Sequence, residues 1–153
     1  MHEAADGAAL NRAAFQATTH CLTGCAIGEV SGLVVSTALG LAILPSIVLA
    51  IVLSFVFGYG LTMQPLLQSG LSLRRALGIA FAADTVSLTT MEVTDNVVVL
   101  VVPGAMTAGL LDVLFWGSLA LSLVIAFVVA FPVNRWLVAR GLGHAVIHGS
   151  HEA

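Results

Sequence analysis

The chain has 153 residues, 59% hydrophobic and 8% charged, with a mean hydropathy of +1.06 and a net charge of −3. Soluble domains carry about 25% charged residues, so this composition excludes a soluble module and predicts one all-α domain in a membrane; nothing in the charge points to nucleic acid. The five basic residues are all Arg, and the two cysteines, Cys21 and Cys25, lie in one short stretch, which excludes a disulfide framework.

Residues 1–19 read as a mobile or interfacial segment: the first eight are small and polar, and Asn11 to Thr19 can form a helix at the interface or extend the first span. No basic stretch followed by an apolar core is present there, so no cleaved signal peptide is expected. The transmembrane domain is predicted over residues 20–142, with spans near 20–44, 45–67, 76–102 and 107–139. Span one carries Gly24, Gly28 and Gly32 at a spacing of four, which lets helix backbones approach closely in lipid, against another span or a second subunit. Pro45 opens span two, where a first turn tolerates it, and so short a connection requires an antiparallel hairpin. Span three, at about 40 Å, exceeds the hydrocarbon thickness of about 30 Å and must tilt or protrude. Pro103 and Gly104 make the next turn. Span four carries Trp116 and Trp136 at a separation of about 30 Å along a helix, fitting two aromatic belts. Pro132 kinks its last turns or ends it. Residues 143–153 form a tail containing His144, His148 and His151.

With four spans, Arg12, Arg74, Arg75, Arg135 and Arg140 all fall on one side, and the two opposite turns carry none. The positive-inside rule then places both termini in the cytoplasm. Four spans make a narrow bundle, so a homo-oligomer packed through the span-one glycines is expected.

The chemistry concentrates in DTVSLTTMEVTDN, residues 84–96. On a helix, Asp84, Met91 and Asp95 share a face, with Ser87 beside them and Glu92 and Asn96 further round. An ionised acid in hydrocarbon costs about 2.5–3.5 kcal/mol or more, and no Lys or Arg lies among these. They are therefore neutral, bonded to Thr85, Ser87, Thr89, Thr90 and Thr94, or they await a mobile cation; intramembrane acids favour the functional reading. Counted from the cytoplasmic side, Glu29 and Asp84 fall at one depth and can meet. His20, Cys21 and Cys25 supply soft-to-borderline ligands suited to copper(I) or zinc; their plain reading is small buried residues near a glycine-packed interface. Met91 is either packing or a thioether between two carboxylates. Met63, with Tyr59 and Gln64, offers a faint extension of the same path, and His144 with His148 either receives a metal or belongs to a solvated tail. Asp112 is read as interfacial.

The segments THCLTGCAIGEVSG (19–32), FGYGLTMQPLL (57–67), AADTVSLTTMEVTDN (82–96) and FPVNRWLVARGLGHA (131–145) resemble the bacterial membrane family called domain of unknown function 4396, over nearly the whole chain. The resemblance implies no activity. It implies, loosely, metal traffic, since relatives keep company with copper-handling proteins and some are joined to cupredoxin-like domains.

The expected function is passage of a metal cation, copper first and zinc or another divalent ion second, across a bacterial inner membrane. The path runs from Asp95 and Glu92 through Met91, Asp84 and Glu29 to Cys25, Cys21 and His20. A non-transporting metal-binding or assembly subunit, acting with a copper-carrying protein, is the second reading, and a purely structural bundle the third. No enzyme is expected, as neither a phosphate-binding loop nor a nucleophile motif occurs.

Overall fold

A computed structural model describes residues 2–141 and contains four long helices: α1 (His2–Leu39), α2 (Ile43–Gln68), α3 (Leu73–Val101) and α4 (Val113–Ala139). A single 3-10 turn (Ala105–Thr107) lies between α3 and α4. All four are long and apolar enough to cross a membrane, so the chain is a multi-pass transmembrane protein. The predicted tail at 143–153, with His144 and His148, lies outside the described residues.

Residues 2–19 are the first half of α1, which runs about 57 Å without a break, so of the two readings of Asn11 to Thr19 the extension of the first span is the one seen, and it reaches back to His2. The other spans shift by a few residues. Span two starts at Ile43, two residues before Pro45, because the first-turn N–H groups have no intrahelical partner and proline there loses nothing. Span four starts at Val113, after the 3-10 turn and the Asp112 cap, and continues through Pro132 to Ala139. The α1–α2 hairpin closes at Gly40, whose φ of 63° takes the left-handed turn while the Leu41 N–H donates to the Ser36 carbonyl at 2.9 Å.

The helices form a ring in chain order. Each packs on its two neighbours, and α1 and α3 meet across the diagonal. Inward faces are built from small residues: Ser54, Gly58 and Thr62 on α2; Ala76, Ala80 and Ala83 on α3; Ser118, Ser122, Ala126 and Ala130 on α4. Large apolar residues such as Val52, Val56, Val124 and Val128 point outward. This distribution suits a lipid-facing exterior, where close backbone packing replaces the hydrophobic effect between helices. Trp116 and Trp136 are half-exposed at opposite ends of α4.

The glycine stripe lies within the chain. A Cβ at Gly24 would meet the backbone of Gly58, at Gly28 that of Ser54, and at Gly32 the Ala50 Cα at 2.6 Å. The stripe therefore seals the α1–α2 hairpin, and its use as a subunit interface is corrected. Arg135 Nε donates to Asn11 Oδ1 at 2.7 Å, tying the end of α4 to the early part of α1. The five arginines share one end of the bundle, and the 40–42 and 102–112 connections form the other.

Candidate functional site

The diagonal contact between α1 and α3 puts their polar residues on the bundle axis. Cys21, Cys25, Asp84, Ser87, Met91, Glu92 and Asp95 are all buried. They form a stack of three levels, running from the arginine end toward the opposite end.

At the first level, the Cys21 thiol donates to Asp84 Oδ1 at 3.8 Å. Thr62 of α2 lies within hydrogen-bonding reach of the same carboxyl, and His20 Nε2 pairs with Thr62 Oγ1 at 2.9 Å. One turn below, Asn134 of α4 donates to Thr18 Oγ1 at 2.9 Å, and Thr18 in turn donates to the Ala14 carbonyl. All four helices thus contribute to the inner part of the stack.

At the second level, Cys25 faces Glu92. Ser54 Oγ donates to the Cys25 carbonyl at 3.3 Å and also lies beside the Glu92 carboxyl. Met91 packs in one cluster with both cysteines, Leu88, Ala126 and Ala130. Three sulfur atoms therefore share the centre of the bundle with two carboxyls.

At the third level, Glu29 of α1 faces Asp95 and Glu92 of α3. These acids open onto a cavity of about 460 Å³ at the end away from the arginines, which the 3-10 turn and the Gly40–Leu41 connection border. Ser36, Asn96 and Ser118 add polar atoms to its wall. One oxygen on each of Glu29, Ser36, Glu92 and Asp95 is buried without a hydrogen-bond partner among the described residues, a condition that costs about 1–3 kcal/mol per group in a dry site.

Several expectations change here. Glu29 meets Asp95 and Glu92, and Cys21 takes the place beside Asp84. Asp84 and Cys21 both lie nine residues past an arginine, Arg75 and Arg12 respectively, and α1 is already buried in the bundle at Ala14, Ala17 and Thr18, before the start at His20 that the depth count assumed. His20 turns toward α2 while Cys21 turns toward α3, so His20, Cys21 and Cys25 do not form one clamp. Among the described residues, no three His, Cys, Asp or Glu side chains converge closely enough to hold a metal ion. Thr85, Thr90 and Thr94 donate to carbonyls of their own helix, at 2.6–2.8 Å, and not to the acids. Asn96 lines the cavity and donates to the Glu92 carbonyl. Met63 is half-buried on a different face of α2 from Thr62. Tyr59 pairs with Thr85 at 2.8 Å, outside the axis. Asp112 is exposed, and its Oδ2 accepts from the Gly109 N–H at 2.8 Å.

Ser54, Thr62, Asn134, Ser36 and Ser118 were not anticipated. Their signal is a polar residue at helical spacing in an otherwise apolar span: Ser54 and Thr62 lie eight apart on α2, and Ser118, Ser122 and Asn134 lie at multiples of four on α4.

A family model described as Domain of unknown function (DUF4396) matches residues 10–143. No curated protein and no solved structure matches the chain.

Proposed function

The chain belongs to the DUF4396 family, and because that name carries no activity we propose its function from its own residues: it passes a soft transition-metal cation, copper(I) first, along the bundle axis. Zinc or another divalent ion is the second choice of cargo. The observation that carries this reading is the pairing of each buried thiol with a carboxyl from the opposite helix, Cys21 with Asp84 and Cys25 with Glu92.

Sulfur donors select soft cations such as copper(I), and Met91 adds a third sulfur to the buried cluster that holds both cysteines. The carboxyls offset the positive charge that hydrocarbon would otherwise reject. Among the described residues no level closes three acid, thiol or imidazole ligands on one point, and an ion that must leave needs weak successive sites. The donors grade from oxygen at the cavity, through sulfur at the centre, to the His20 ring at the arginine end.

In this reading the arginine end, with both termini, faces the cytoplasm and the cavity faces outward across a bacterial inner membrane. A copper-carrying protein meets the bundle at one of its ends. Every donor on this proposed route comes from one chain, so the reading does not require a homo-oligomer.

The test is metal flux into liposomes containing the purified protein. Asp84→Asn and Cys25→Ala each lower flux at least tenfold while keeping the folded elution profile. Unchanged flux in both variants overturns the route. Fixed metal binding without flux in the wild type replaces it with the non-transporting subunit.

A further inference from the structure

We infer that the cavity at the end away from the arginines is a binding site for a small organic cation, a primary ammonium on a short apolar chain. The inference goes beyond metal passage: it rests on the acids and the apolar wall, and neither cysteine lines this cavity.

Three observations converge. The first is the state of the polar atoms. Ser36, Glu92 and Asp95 are 3%, 5% and 6% exposed, and each has an oxygen with no hydrogen-bond partner among the described residues. All three line the same cavity, together with the similarly unpartnered Oε1 of Glu29. Buried acceptors in native proteins are satisfied by a partner. Glu29 and Asp95 face each other and share a hydrogen bond once one of them carries a proton, which leaves Ser36 Oγ and Glu92 Oε1 as acceptors to offer, and a donor-only group with several N–H bonds satisfies both at once.

The second is size and lining. At about 460 Å³ the cavity falls within the range of small-molecule sites, which are mostly apolar walls with a few convergent polar groups. Ile47 and Ile51 of α2, Val99 of α3, and Phe115 and Leu119 of α4 supply such a wall around the acidic floor. A bare inorganic ion uses none of that surface.

The third is charge. No basic side chain lines the cavity, and all five arginines belong to the opposite end. An anionic ligand, or a zwitterion whose phosphate needs a cation, finds no partner here. The same argument favours a free amine over an aminophospholipid headgroup, which shares the primary ammonium.

The experiment is calorimetric titration of the full-length protein in nanodiscs of phosphatidylglycerol, which carries no amine, with ethyl-, butyl- and hexylammonium. Saturable binding at one site per chain is expected, tightening with chain length. It weakens at least tenfold in Glu92→Gln/Asp95→Asn and persists in Cys21→Ser/Cys25→Ser, so failure of the metal route and failure of this site give different results. Should the acid variant not fold, Ser36→Ala carries the comparison, with at least a threefold loss expected. No saturable binding, or equal binding by the acid variant, overturns the inference. Full competition by phosphatidylethanolamine overturns the free amine as occupant. Competition by zinc with no dependence on chain length overturns the organic cation.

Discussion

The Cys21 thiol donates to Asp84 Oδ1 across the diagonal of the bundle, at 3.8 Å and with both side chains buried. This contact sets the register of α1 against α3, and from it follow the pairing of Cys25 with Glu92 and of Glu29 with Asp95.

The first prediction concerns the thiols. Cys21 and Cys25 are 1% and 2% exposed, so a neutral maleimide labels the native protein at least tenfold more slowly than the unfolded one. If the thiols hold a cation, copper(I) slows native labelling further. Fast native labelling of either cysteine contradicts the described packing.

The second concerns the hairpin. Gly28 sits against the Ser54 backbone with no room for a Cβ, whereas Gly60 has nothing within 4 Å. Gly28→Ala should destabilise the bundle by about 1–3 kcal/mol, the usual cost of overpacking, or more. Gly60→Ala should change stability by less than about 1 kcal/mol. Equilibrium unfolding in mixed detergent micelles measures both.

The fold was largely legible in sequence because lipid imposes simple rules: four apolar runs of spanning length, Pro and Gly turns, and arginines at one end. The acids on one face of α3 were legible too, since helical period alone places Asp84, Met91 and Asp95 together. Register was not. It depended on where α1 enters the membrane, and residues 2–19 look polar enough to be a separate segment although Ala14, Ala17 and Thr18 are buried in the bundle. The partner of the glycine stripe was equally hidden, because spacing says that a backbone approaches but not whose. Of the two readings of the acids, bonding to α3 hydroxyls is not seen for Thr85, Thr90 and Thr94, because a hydroxyl in a helix has its own carbonyl four residues back within reach.

The third prediction concerns Asn134, whose side-chain amide donates to Thr18 Oγ1 at 2.9 Å. Interhelical hydrogen bonds in membranes are worth about 0.6–1.7 kcal/mol, so Asn134→Ala should destabilise the bundle by about 1 kcal/mol or somewhat more. The same unfolding measurement checks it. No change would mean that the α1–α4 contact does not depend on this bond.

The fourth concerns protons. A metal that binds thiols must displace their protons, so adding copper(I) to the protein in weak buffer should acidify the solution by about one proton per thiol engaged. Apparent affinity should fall as pH falls, since protons compete for the same ligands. Binding without proton release would place the metal away from Cys21 and Cys25.

The most direct test of the account is elemental analysis of the detergent-purified protein after growth with copper and zinc supplied, wild type beside Cys21→Ser/Cys25→Ser. The account predicts metal at a fixed ratio to the wild-type chain, copper above zinc, and its loss in the double variant. Equal metal in both proteins, or none in the wild type, contradicts a thiol–carboxyl path for a soft cation.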